Sequence, residues 1–236
     1  MIQSIKKYRH GLIIALYSIF YLIAFHLLET RHLYSYQYHV VDTVFDSYIP
    51  FCEYFIVPYL LWFPYIIVTV LYFLYINQNK REYYQLICNL IMGMTVFLIV
   101  SYVYPNVLHL RPQEFPRDNV FTDLVRFIYR ADTPTNVLPS IHVFNSLAAY
   151  MSLEHCEALR DKKLIRFVSL LLTISIILST MFLKQHSVID VCLGSTLALF
   201  GYLIFYPQKT GERAHTHVAF ANAQDQKTGK FSHTGK

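Results

Sequence analysis

The chain has 236 residues, of which 55% are hydrophobic and 15% charged, and its mean hydropathy is +0.35. That balance excludes an ordinary soluble domain and fits a polytopic membrane protein. The net charge of +5 suits the lipid bilayer's anionic headgroups and gives no reason to invoke a nucleic-acid partner.

The first apolar run, residues 11–28, follows a basic start (Lys6, Lys7, Arg9) and ends in HLLETRH, without a small-residue cleavage site. It is expected to stay as a first span rather than be removed as a signal. The aromatic-dense stretch 31–45, RHLYSYQYHVVDTVF, is expected to lie along the membrane interface. Residues 55–76 hold no charge over 22 positions, long enough for a second span, and Pro58 and Pro64 predict a kink or a late start. The third span is placed at 85–104.

After a polar stretch of more than thirty residues comes a weaker segment, 140–156. Its small and polar residues (Ser140, Asn145, Ser146, Ala148, Ala149, Ser152) fit a helix buried among helices and lining a polar cavity. Spans at 167–182 and 188–205 complete the expected fold: all-α, polytopic, six transmembrane helices in a bundle over residues 1–206. The remainder, 207–236, reads as a polar, disordered cytoplasmic tail.

Orientation follows from the basic residues. Of the 20 Lys and Arg, 14 fall in the amino-terminal segment, the second and fourth connections and the tail, all on one side of a six-span layout. The positive-inside rule makes that side cytoplasmic, with both termini inside. Five of the other six (Arg111, Arg117, Arg126, Arg130, Lys184) lie in the two outer connections that lead to His142 and His186. Anion binding is one reason for such a cluster; pairing of Arg117, Arg126 and Arg130 with Asp118, Asp123 and Asp132 is the other. The four cysteines, Cys52, Cys88, Cys156 and Cys192, show no metal-ligand spacing and read as buried inert thiols.

His186 and Asp190 stand four apart, on one face of a helix. A carboxylate there holds one imidazole nitrogen as N–H and leaves the other with its lone pair outward, as a nucleophile requires; a simple buried polar pair is the bland alternative. Asp190 also sits inside an apolar span, where a carboxylate is expensive unless paired. The order Leu138-Pro139-Ser140-Ile141-His142 suits the start of a helix, with Ser140 as cap and the free N–H groups as a cradle for phosphate oxygens. His142 follows as a candidate general acid; a capping serine beside an interfacial histidine is the bland alternative. Arg111, before Pro112, offers a guanidinium fork for two phosphate oxygens.

The stretches YPNVLHLRP (104–112), PSIH (139–142) and STMFLKQHSVID (179–190) together resemble the type 2 phosphatidic acid phosphatase superfamily, whose signature is K-x6-R-P, then P-S-G-H, then S-R-x5-H-x3-D. The resemblance implies a double displacement without metal or cofactor. His186 is then the nucleophile, Asp190 its orienter, His142 the acid, and Arg111 and Ser140 phosphate ligands. Tyr104, Ile141 and Thr180 stand where the signature has lysine, glycine and arginine. Lys184, two residues before His186, is a candidate to restore one lost charge, or else a lysine snorkelling to the interface.

The expectation is thus a cell-membrane, multi-pass lipid phosphatase, hydrolysing a phosphate monoester or pyrophosphate of a membrane lipid through a phosphohistidine, with its site on the outer face. The bulky Ile141 and Thr180 are also similar to inositol phosphorylceramide synthases and sphingolipid phosphotransferases, which implies transfer to an alcohol as the alternative. A metal-binding transporter with His142, His186 and Asp190 as ligands is a third possibility. The sequence carries no signal of oligomeric state.

Overall fold

A computed structural model of the chain describes residues 10–31 and 33–206. The tail 207–236 and the basic start Lys6, Lys7 and Arg9 lie outside the described residues, and the expectations made for them go no further.

Helices dominate: α1 (Gly11–Glu29), α2 (Ile56–Leu71, continued by a π turn over Tyr72–Ile76), α3 (Lys80–Val103), α4 (Val120–Ala131), α5 (Ile141–His155), α6 (Lys163–Phe182) and α7 (Val188–Phe205). The only strands among the described residues are β1 (His39–Val40) and β2 (Asn106–Val107), a parallel pair two residues long. Five helical segments, those of α1, α2, α3, α6 and α7, are long and apolar enough to cross a bilayer. At 15 residues, α5 is about 22 Å long, short of the ~30 Å hydrocarbon core.

The helices alternate in direction. Arg31, just after α1, donates to the carbonyls of Ser101 (3.3 Å) and Tyr102 (3.1 Å) at the end of α3. Cys52, ahead of α2, bonds Phe182 O at the end of α6, and Ser140 N–H, at the head of α5, bonds Asp190 O in the first turn of α7 (3.3 Å). One end of the bundle therefore gathers the ends of α1, α3 and α6 with the starts of α2, α5 and α7. At the other end, Gln85 of α3 reaches Phe205 O at 2.7 Å and Arg166 of α6 pairs with Glu154 of α5. Lys80, Arg81, Arg160, Lys162, Lys163 and Arg166 all lie at that second end.

α5 is the central helix, packed against α2, α3, α6 and α7, with α1 outside α3. Ser146, Ala148, Ala149, Ser152 and Asn145 are buried on it, as the small and polar composition of 140–156 predicts. Polar groups point inward and large apolar ones outward: Ser169, Thr173 and Ser179 of α6 are buried, while Leu164, Phe167, Leu171 and Ile174 are exposed. A hydrocarbon surround satisfies that inverted pattern. Close approach of α3 to α5 depends on Gly93, where a Cβ would sit 2.0 Å from the Phe144 ring.

Local chemistry sets the helix ends. Asn79 caps α3 by accepting from Arg81 N–H (3.1 Å), so the helix starts five residues before its apolar run. Asn119 caps α4 through Thr122 N–H (3.0 Å), with Asp123 in its first turn and Arg130 in its last, both favourable to the helix dipole. Pro58 falls in the first turn of α2 and Pro64 in its interior. α4 interrupts the stretch that reads as merely polar; its Val125 packs with Ile56, Tyr59 and Leu183. Among the cysteines only Cys156 is buried; Cys88 and Cys192 are exposed on α3 and α7, because their helix faces point away from α5. The 31–45 stretch does expose Tyr34, Tyr36, Val44 and Phe45.

Candidate active site

The starts of α5 and α7 converge at the end of the bundle that also carries the 104–140 connection. Ser140 is the N-cap of α5; its Oγ accepts from Val143 N–H (3.4 Å). His142 in the first turn then faces the turn between α6 and α7. There the N–H groups of Gln185 and His186 both donate to Thr180 O, at 2.9 and 3.0 Å. Gly194 permits the convergence: a Cβ there would lie 2.7 Å from Ser140 O and 3.2 Å from Val143 Cβ.

The three residues singled out for chemistry meet. Asp190 Oδ2 accepts from Ser187 N–H (2.9 Å) and stands 3.4 Å from His186 Nδ1, while His186 Nε2 lies 3.2 Å from His142 Nδ1. Asp190 is fully buried, and both histidines are less than 9% exposed. Tautomers follow from this chain of partners. A carboxylate only accepts, so His186 carries its proton on Nδ1 and keeps a lone pair on Nε2, and His142 Nδ1–H donates to that lone pair. The rings of Tyr59 and Trp62 of α2 lie 4.8 and 4.3 Å from that of His142 and wall it in.

Arg111 comes to the same end. It donates to Tyr129 O (3.0 Å), Asp132 O (2.9 Å) and Gln185 Oε1 (2.6 Å), with its guanidinium 4.4 Å from the Tyr129 ring centroid. Burial lowers its pKa, with Asp132 opposing; a guanidinium stays charged regardless. Burial pushes the Asp132 carboxyl above its ordinary range, and the neighbouring His186 and Arg111 pull it part of the way back.

Lys184 is placed differently. Its ammonium donates to the carbonyls of Asp46 (2.8 Å) and Ile49, and no hydrogen bond joins it to either histidine among the described residues. Its backbone takes a left-handed conformation, φ 54°, which costs a β-carbon residue about 1–2 kcal/mol. Burial lowers the ammonium's pKa, against the pull of Asp46. Of the other cations in the 104–140 connection, Arg126 pairs with Asp118 and Asp123, both at 2.8 Å, while Arg117 pairs with Glu53 at 2.9 Å. Tyr104 stacks on His39 at 4.0 Å, and the Thr180 hydroxyl donates to Ile177 O at 2.8 Å.

Two supporting groups escape a reading of the sequence. Asp46, 2% exposed, accepts from Thr43 N–H (2.6 Å), the Thr43 hydroxyl (2.7 Å), the Ser187 hydroxyl (2.6 Å) and Val188 N–H (2.8 Å). It thereby caps α7 from the far side of the chain; its local signal is the Thr-x-x-Asp spacing of a capping box. Asn106 Oδ1 accepts from the N–H groups of Val137 (2.8 Å) and Leu138 (3.1 Å), anchoring the strand-like lead into Pro139.

Among the described residues no group of three or more His, Cys, Asp or Glu has an arrangement fit to hold a metal ion. No family model matches the chain, and neither the curated proteins nor the solved structures contain a match.

Proposed function

We propose that the protein is an integral-membrane phosphoryl-transfer enzyme, a lipid phosphatase of the type 2 phosphatidic acid phosphatase kind, acting on a phosphate monoester or pyrophosphate of a membrane lipid. The relay from Asp190 through His186 to His142 carries this assignment. His186 Nε2 attacks phosphorus, the P–O bond to the lipid alcohol breaks, and His142, entering as the imidazolium, protonates the departing oxygen from Nδ1 and is left neutral. Asp190 supports the positive charge on His186 in the phosphohistidine. Water then attacks phosphorus and gives its proton to His142, the N–P bond breaks, and inorganic phosphate leaves. General acid catalysis of this kind contributes about 10²–10⁴-fold.

With α5 as a sixth crossing, both termini are cytoplasmic and the site opens on the outer face of the cell membrane. The gathering of Lys80, Arg81, Arg160, Lys162, Lys163 and Arg166 at the end opposite the histidines supports that orientation.

A second reading, transfer to an alcohol as in inositol phosphorylceramide synthases, is favoured by charge. Arg111 faces Asp132, and Lys184 is tied to carbonyls. A cradle with so little net positive charge suits a singly charged phosphodiester better than a monoester, which carries about −1.5 to −2 at pH 7.

The test is inorganic phosphate release by detergent-purified protein in EDTA, over phosphatidic acid, phosphatidylglycerophosphate and polyprenyl phosphates, with His186→Ala in parallel. Release that disappears in the variant is expected; release that persists overturns the role of His186. A new phospholipid formed only when an alcohol acceptor is added selects the second reading.

A further inference from the structure

Arg111 and Gln185 form one unit. The guanidinium uses its terminal nitrogens on Tyr129 O, Asp132 O and Gln185 Oε1. Its Nε–H is buried with no acceptor among the described residues, and so is Gln185 Nε2. Gln185 is 4% exposed. Because its oxygen accepts from Arg111, the amide cannot be flipped, and its N–H groups are left for another acceptor. Leaving a buried N–H without an acceptor forfeits its hydration with no return. Two such donors therefore stand on one hydrogen-bonded pair, one residue from the His186 ring. The pattern calls for an anion.

We propose that Gln185 is a ligand of the transferred phosphoryl group. Its Nε2 and the Nε of Arg111 hold phosphoryl oxygens and take over from the cations absent at Tyr104 and Thr180. The ligand class is a phosphoryl oxyanion, held by one charged and one neutral donor. This assignment rests on the phosphoryl-transfer reading above. It adds a residue that the three signature stretches do not mark as functional. The neighbouring signature positions do not supply the donors, because Thr180 Oγ1 is directed to Ile177 O and Tyr104 stacks on His39.

The chain carries one tryptophan, Trp62, whose ring is 4.3 Å from that of His142. Its fluorescence in the detergent-purified full chain, titrated with inorganic phosphate or tungstate, reads anion binding directly. A saturable change is expected in the natural protein. Gln185→Met, which keeps length and removes the N–H groups, is expected to weaken binding about tenfold, as for one hydrogen bond to a charged group. Gln185→Asn, which keeps an amide and withdraws it by one methylene, supplies a milder variant should the first fail to fold, and is expected to lose affinity similarly. Anion binding in the natural protein that either folded variant retains in full overturns the role of Gln185 and leaves the phosphoryl-transfer reading standing. No anion binding by the natural protein overturns both.

Discussion

His142 Nδ1 and His186 Nε2 are in direct contact at 3.2 Å, so in the proposed reaction the attacking lone pair is covered by the proton meant for the leaving group. In that reaction a phosphoryl group first parts the two rings, and once between them it meets the lone pair on one side and the donor on the other. The two histidines therefore have separable kinetic effects.

His186→Ala removes the bond-forming atom and is expected to abolish turnover for every ester. His142→Ala removes only the proton for the leaving oxygen, so it should slow alkyl esters about 10²–10⁴-fold and aryl esters such as para-nitrophenyl phosphate far less, since phenolates leave without protonation. Steady-state rates on both ester types decide this. Equal losses on both would remove His142 from the acid role.

Asp46→Asn tests the brace behind the site. The carboxylate accepts four hydrogen bonds, and an amide turns one oxygen into a donor facing other donors. A loss of about 1.5–3 kcal/mol in stability is expected, together with reduced kcat as the turn carrying His186 loosens. Burial pushes Asp46 up, but the donors Ser187, Thr43 and Val188 outweigh it and hold the pKa below its ordinary value. Its stabilisation is therefore present above the unfolded carboxyl pKa of about 3.9 and is lost as the pH falls through the lower folded value. The difference in Tm between the natural protein and the variant should close in that acid range. A constant difference would place the effect elsewhere.

Asp132→Asn has the opposite sign. Burial raises this carboxyl, so its contribution is complete below the unfolded pKa and is lost as the pH rises through the folded one. The variant is expected to be the more stable protein near pH 8, by about 2–4 °C for 1 kcal/mol, with the gap closing on acidification. Removing a negative charge near Arg111 should also tighten phosphate binding several-fold. A variant less stable than the natural protein at pH 8 would contradict this.

Gly194→Ala places a methyl 2.7 Å from Ser140 O, a backbone atom that cannot swing aside. Pushing α7 off the head of α5 is expected to cost about 1–3 kcal/mol and to separate His186 from His142. Thermal unfolding and phosphate release should fall together. A variant with native activity would show that the helix pair tolerates the shift.

The apolar runs told most of the bundle. Residues 188–205 are α7 as observed, and 11–28 and 55–76 miss by a residue. Charge hid the start of α3, because Lys80, Arg81 and Glu82 read as connection although Asn79 caps a helix there. α4 was hidden by its own polarity, since one narrow apolar side around Val125 suffices to seat it. At the site, His186 and Asp190 announce themselves by sharing a helix turn, and His142 by following Pro139 and Ser140. Asp46 does not: it meets Ser187 across 141 positions, a distance over which local periodicity carries no information. Gln185 stood beside a recognised histidine, yet only its hydrogen bond to Arg111 gives it a direction.

The shortness of α5 has a consequence for depth. Its 15 residues against the 24 of α3 make it about 14 Å shorter, so a layer of lipid thick enough to cover α3 overreaches one or both ends of α5. His142 sits in the first turn of the short helix. On the proposed function, a shortfall at this end makes a lipid's phosphate descend toward the hydrocarbon to meet His142, and a thinner bilayer shortens that descent. Acyl-chain length, through thickness alone, would then control how readily such a headgroup arrives.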